Sequence, residues 1–125
     1  MATDQGSSNG IDRIYAYSAC STCRKALAWL GENGLQPEVI DITSQPPTLE
    51  ELKLGLDQLG RTRLFNTSGQ SYRALGADAV KAMDDEQALA ALASDGRLVK
   101  RPFVVTRDGR ILTGFRPDAW AVLLG

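Results

Sequence analysis

A chain of 125 residues with 43% hydrophobic and 23% charged residues has the composition of one globular domain, long enough to bury a core without metals or several disulfides as staples. Its formal net charge of -1 argues against strong nonspecific nucleic-acid binding. No apolar run approaches a membrane span, and Met1 to Gly10 lacks the basic and apolar regions of a signal peptide, so the cytoplasm is the expected location.

Residues 1–10, rich in Ser, Gly, Asn and Asp, read as a disordered tail, and one ordered domain is expected over 11–125. Arg13-Ile14-Tyr15-Ala16-Tyr17 is short, aromatic and β-branched, as suits a strand. From Thr22, Cys23, Ala26, Leu27 and Leu30 follow helical spacing, which stops at the Gly31 to Gly34 stretch. Glu38 to Ile42 alternates polar and apolar residues as a second strand, which makes a right-handed βαβ unit with parallel strands.

After Pro46-Pro47, Thr48 and Glu51 form a T-x-x-E capping box ahead of Leu49, Leu52, Leu56 and Leu59. Leu64 to Gly69 breaks the pattern as a loop, and a weaker helical piece follows at Tyr72 to Leu75. Asp84 caps a helix containing Ala88, Leu89 and Leu92 that ends at Asp95-Gly96. Pro102 to Val105 and Ile111 to Phe115 flank Arg107-Asp108-Gly109-Arg110, whose Asp-Gly pair predicts an antiparallel hairpin. Pro117 opens a last helix with Trp120, Leu123 and Leu124 inward. Tyr15, Tyr17, Trp29 and Trp120 are most simply core aromatics.

Both cysteines fall in Cys20-Ser21-Thr22-Cys23, across the first strand-to-helix turn. Two cysteines and no histidine fall short of the four ligands of structural zinc, so no metal site is expected; in a reducing compartment a close pair points to thiol chemistry. The order β α β, helical middle, β β α is the thioredoxin-like plan, in which that turn carries the reactive cysteine. With no histidine available, activation of a thiolate must come from arginine, lysine or backbone dipoles. Arg97, Lys100, Arg101, Arg107, Arg110 and Arg116 crowd an interval where Asp108 is the only acid.

Cys20-Ser21-Thr22-Cys23-Arg24-Lys25, the Leu64-Phe65-Asn66-Thr67 loop, Lys100-Arg101-Pro102-Phe103 and Gly114-Phe115-Arg116-Pro117 together resemble the arsenate reductase family that also contains the Spx and MgsR transcriptional regulators. The four motifs come in the family's order over roughly residues 13–123, and the C-x-x-C looks most like the Spx and MgsR type. The resemblance implies an α/β, thioredoxin-like (glutaredoxin-like) mixed four-stranded sheet with an inserted helical lobe at about 46–95. It further implies a cis Arg101-Pro102 peptide that holds Arg101 near Cys20, and an active site built from Cys20, Arg101 and Arg116.

That site makes chemical sense. An arsenate-like tetrahedral anion needs a thiolate nucleophile and fixed cations to offset repulsion between the two, and guanidinium forks fit such an anion. Cys20, exposed to free amides at a helix start, is the expected nucleophile. Cys23 is either the resolving thiol, giving a Cys20–Cys23 disulfide reduced by thioredoxin, glutaredoxin or glutathione, or a small buried hydrophobe. Arg101 and Arg116 hold the oxyanion or are solvated surface arginines; Arg24 and Lys25 tune the thiolate or lie on a solvated helix face. Ser18, Ser21 and Thr22 cap the helix or donate to sulfur or substrate; Ser21, Thr22, Asn66 and Pro102 are the candidate substrate contacts.

Two departures stand out. Arsenate reductases of the family carry a third arginine where Asn66 stands here, and they lack the second cysteine. Losing one such cation weakens a transition state by about 2 to 4 kcal/mol, by analogy with deleting one preorganised donor; Arg61 and Arg63 lie close by in sequence. The expected activity is a thiol-dependent reductase of an oxyanion or a disulfide, with no bound cofactor. The alternatives are an Spx-like redox-sensing regulator binding the RNA polymerase α subunit, or an inactive thioredoxin-like binding module. A monomer is expected, with no membrane and no direct nucleic-acid partner.

Overall fold

The computed structural model describes residues 10–124, so all of the expected disordered tail except Gly10 lies outside the described residues. Gly10 itself is a buried bend, whose carbonyl accepts from the Arg107 amide (2.9 Å). The chain then runs β1 (Ile11–Ala16), α1 (Ser21–Glu32), β2 (Glu38–Asp41), α2 (Leu49–Leu59), α3 (Gln70–Leu75), α4 (Ala77–Ala82), α5 (Asp85–Ser94), β3 (Phe103–Thr106), β4 (Ile111–Thr113) and α6 (Pro117–Leu124). Short 3-10 turns occupy Arg61–Arg63 and Gly96–Leu98.

The four strands form one mixed sheet in the order β2-β1-β3-β4. β1 pairs parallel with β2, with Ile14 opposite Val39, while β3 pairs antiparallel with both β1 and β4. Alternation along the strands divides the interior in two, because successive side chains point to opposite faces. Ile14, Ala16 and Val104 face Cys23, Ala26 and Leu30 of α1 and Trp120 and Leu124 of α6. Tyr15, Phe103 and Val105 face the helical lobe, where Leu52, Leu64, Leu89 and Leu92 pack. Each of these leucines, fully buried, contributes roughly 1.5 to 3 kcal/mol.

A buried polar knot ties the lobe to the sheet. The capping box forms as expected: the Glu51 amide donates to Thr48 Oγ1 (3.2 Å) and the Thr48 amide donates to Glu51 Oε1 (2.9 Å). Glu51 is buried because the same carboxylate accepts from the Tyr15 hydroxyl (2.7 Å) and pairs with Arg13 (3.1 Å). Burial, followed by the hydrogen bond to Glu51, pushes the Tyr15 phenol up to about 12. A carboxylate with three such partners is tolerated inside the protein, whereas one partner lost leaves the others stranded.

Four features go beyond or against the expectations. Leu64 and Phe65 lie outside any helix or strand, as expected, but both are buried, Phe65 forms an antiparallel bridge to Val99, and the Lys100 amide donates to Leu64 O (2.7 Å). Two residues are too short for a period to register. α4 was unexpected, and with Val80 its one buried residue it carries no stripe. Tyr17 and Trp29 are half-buried rather than core; Trp29 packs edge-on against Phe115 and Trp120 at the rim of α1. The basic interval also splits in space. Arg110 pairs with Asp108 (3.0 Å) and donates to Leu123 O (3.0 Å), and Arg107 lies against Gly10, so neither joins the cations described next.

Candidate functional site

Cys20 is the residue that caps α1. Its backbone is extended, its carbonyl accepts the first helical amide from Arg24 (3.0 Å), and no side chain caps this end. Ser18, Ser21 and Thr22 therefore do not act as caps. The free amides of the first turn are left to the Cys20 sulfur, the arrangement that favours an anion at a helix start.

Burial pushes the Cys20 thiol up, but the nearby amide and thiol of Cys23 and the Arg101 guanidinium favour the charged sulfur and together bring it below the ordinary thiol value. Cys23 goes the other way. It is fully buried, and desolvation, with added repulsion from the Cys20 sulfur, drives it up to about 11 although the Tyr17 amide donates to it (3.4 Å). Both cysteines are free thiols. The two thiols are thus moved in opposite directions, Cys20 toward the thiolate and Cys23 away from it, which gives like groups different roles.

Around Cys20 opens a cleft of about 660 Å³ lined by Thr22, Arg63, Asn66, Lys100, Arg101 and Arg116 among others, and no Asp or Glu lines it. Among the described residues none of Arg63, Lys100, Arg101 and Arg116 has a carboxylate partner within salt-bridge distance. Arg101 precedes β3 through a cis peptide to Pro102 and lies over the Tyr17 ring, 5.3 Å from its centroid. That stacking aims the guanidinium at Cys20. Pro102 is buried beneath the cleft and does not line it, while its carbonyl accepts from the Gly114 amide (3.0 Å). Gly114, at φ +70 and with an added Cβ only 3.3 Å from Lys100 Cε, turns the chain after β4 so that Arg116 swings back over the cleft.

The lobe supplies the opposite wall. Asn66 lies there, its Oδ1 accepting from Ser68 Oγ (3.1 Å). Arg61 and Arg63, two residues apart on a 3-10 turn, face different sides. Arg61 is spent on structure: it donates to Met83 O (2.8 Å) and Val80 O (3.3 Å) and pairs with Asp85 (2.7 Å). Arg63 reaches the cleft, while its backbone carbonyl is fixed by the Thr113 hydroxyl (2.7 Å). A second groove of about 370 Å³ shares Asn66, Gly69 and Arg101 with the cleft and reaches Arg97.

Of the residues expected at the site, the structure brings Cys20, Thr22, Asn66, Arg101 and Arg116 together, places Cys23 beneath Cys20, and leaves Ser21 exposed outside the cleft. Arg24 is turned aside, donating to Ser18 O (2.8 Å). Not among the expected site residues were Arg63, Ser68, Gly69, Lys100, Thr113, Gly114 and Phe115 of the lining; the charge of Arg63 and Lys100 was a usable signal, whereas the others carry no chemical signature of their own. Among the described residues no three His, Cys, Asp or Glu side chains come together as a metal cluster. No helix is long and apolar enough to cross a membrane.

The ArsC family model matches residues 15–123. The chain belongs to the ArsC family. Among its relatives, the uncharacterized protein YusI of Bacillus subtilis is 44% identical, covering 84% of this chain and 91% of its own. An arsenate reductase of Neisseria meningitidis is 31% identical over 82% and 88% of the two chains. The global transcriptional regulator Spx of Listeria monocytogenes is 26% identical over 84% and 80%. The crystal structure of an ArsC family related protein from Bacteroides fragilis superposes with a TM-score of 0.80 at 42% identity, covering 89% of this chain and 95% of that one. ArsC membership and the mixed four-stranded sheet agree with the thioredoxin-like fold expected from the motifs.

Proposed function

We propose that the protein is a thiol-dependent reductase of an arsenate-like oxyanion. One observation carries this reading: Cys20, a thiol made more acidic than usual, opens into a cleft ringed by Arg63, Lys100, Arg101 and Arg116 with no acid in its lining. A neutral disulfide has no use for that charge, and a dianion cannot approach a thiolate without it.

In the proposed cycle the Cys20 sulfur attacks arsenic(V), an S–As bond forms, and one oxygen leaves as water after gaining protons. A second thiol then attacks the Cys20 sulfur. The S–S bond forms, the S–As electron pair passes to arsenic, and arsenic(III) departs as arsenite. Cys23 suits the second attack. Its acidity is suppressed in part by the negative Cys20 sulfur, and that repulsion vanishes once Cys20 is bonded to arsenic, while the Tyr17 amide and Arg101 stay in place to favour the Cys23 thiolate. Two electrons from thioredoxin, or from glutathione with glutaredoxin, then reopen the disulfide.

The loss of the family's arginine at Asn66 is offset by Arg63, which enters the same cleft from three residues earlier in the chain. Turnover of arsenate by the purified protein, run separately with glutathione plus glutaredoxin and with thioredoxin plus its reductase, tests the reading with Cys20→Ser as the blank. Cys20-dependent turnover in either system is expected. Its absence in both overturns the reading and favours a redox-responsive regulator of the Spx kind, for which the paired thiols with opposed acidities are also suited; binding to the RNA polymerase α subunit is then the next measurement.

A further inference from the structure

Beside the cationic cleft lies a second cavity of about 220 Å³, between the end of α2, β4 and α6. Its lining is mostly apolar: Leu59, Leu112, Ala119, Trp120 and Leu123. Three residues, Arg63, Thr113 and Arg116, line both this cavity and the Cys20 cleft. The two arginines thus stand at the boundary, with Cys20 on one side and an apolar hollow on the other. No acid lines either space, so the boundary favours a negative group and the hollow an uncharged one.

A tetrahedral inorganic anion is far smaller than a cleft of about 660 Å³, whose size falls in the range of organic ligand sites. An anion held between Cys20, Arg63 and Arg116 leaves the neighbouring hollow unused. An anion with an apolar substituent uses both, burying its tail where water makes few hydrogen bonds.

Resting on the oxyanion reading above, we infer that the cleft and the apolar cavity together form one site for an organic oxyanion, a phosphonate- or arsonate-like head carrying a small aryl or alkyl group. The head lies at Cys20 between Arg63 and Arg116; the tail passes between the two arginines onto Leu59, Leu112, Trp120 and Leu123. Ala119 lines this cavity but not the Cys20 cleft, so its methyl group takes no part in holding the anion.

The test is protection of Cys20 from alkylation by iodoacetamide, followed by mass spectrometry, with inorganic phosphate, methylphosphonate and phenylphosphonate as probes. All three carry a comparable tetrahedral anionic head. Phenylphosphonate is expected to protect at about tenfold lower concentration than methylphosphonate, the gain from burying one small apolar group. Ala119→Phe fills the cavity and is expected to abolish the difference while leaving protection by inorganic phosphate unchanged. Leu59→Gln, which makes the cavity polar, is a second variant expected to shrink the difference should Ala119→Phe fail to fold. Equal protection by methyl- and phenylphosphonate in the unmodified protein overturns the inference but not the oxyanion site, as does a difference that survives both variants. No protection by any of the three overturns the oxyanion site and the inference with it.

Discussion

Arg61 and Arg63 are two residues apart and share a charge, yet the structure gives them unrelated work, and substituting each by glutamine separates the two roles. Arg63→Gln removes a cation from the cleft without touching the backbone carbonyl that Thr113 holds. Taking roughly 6 Å between guanidinium and reacting anion and an effective dielectric of about 40 for a solvent-open site, Coulomb's law gives about 1.4 kcal/mol per unit charge, or roughly tenfold in rate. Arg63→Gln should therefore lower kcat/KM for arsenate about tenfold and leave the melting temperature within a degree or two, as surface substitutions do. The same variant should reduce hydroxyethyl disulfide, which is uncharged, at close to the normal rate. Arg61→Gln is the mirror case: it strands the carbonyl of Met83, at a cost of about 1 to 3 kcal/mol, while Val80 O keeps the Met83 amide, and should lower the melting temperature while arsenate turnover per folded molecule holds. Adding Asn66→Arg to Arg63→Gln should recover most of the lost arsenate activity, since that wall of the cleft regains its cation. Unaltered arsenate kinetics in Arg63→Gln, or an equal loss with the neutral disulfide, refutes the role given to Arg63.

The opposed acidities of the two thiols predict a pH profile. Because Cys20 lies below the ordinary thiol value, its alkylation by iodoacetamide should be faster at pH 7 than that of free cysteine and level off at lower pH; Cys23→Ala removes one donor to the sulfur and should move the profile upward. Cys20→Ser removes the negative neighbour, so Cys23 should titrate below about 11, although burial still holds it above an exposed thiol. Gly96→Ala would place a Cβ 1.7 Å from the Ile42 carbonyl oxygen, which is backbone and cannot swing away, so a loss of about 3 kcal/mol or more is expected in a urea melt. Gly69→Ala meets the Asn66 amide at 2.7 Å instead, the end of a side chain that can move; stability should change little, while kcat/KM falls as Asn66 is pushed into the cleft, and an unchanged kcat/KM would show that this part of the lobe wall is not used.

The parts of the fold visible in the sequence were those with a period or a stop signal. The 3, 4, 7 spacing after Thr22 marks α1 because burial of one face dictates the pattern, and the capping residues Thr48 and Asp84 mark the starts of α2 and α5; Glu38 to Ile42 reads as a strand although Val39 is exposed. Leu64-Phe65 and α4 escaped because two residues, or one buried valine, repeat nothing. The thiol half of the site was legible in the same way: Cys20 and Cys23 sit on a turn whose flanks are periodic, and Arg101 and Arg116 are marked by adjacent prolines. The lobe wall was not, because which way Arg61 and Arg63 point depends on carbonyls of α4 and its exit, distant in sequence and set by tertiary packing. Arg107 and Arg110 show the converse, as a charge cluster in sequence is pulled apart when a hairpin carries its tip to the far end of the sheet.

The two separate hydrophobic clusters, one on each face of the sheet, divide ownership of the site. Cys20 and Arg116 adjoin elements anchored in the cluster beneath α1 and α6, whereas Arg63 and Asn66 belong to the lobe packed on the other face. A change of residue on the lobe wall therefore need not disturb the packing that sets the acidity of the thiol. Charge, width and polarity of the opening can drift from one protein to the next while the sulfur keeps its chemistry, as in a lock whose wards are recut around an unaltered bolt.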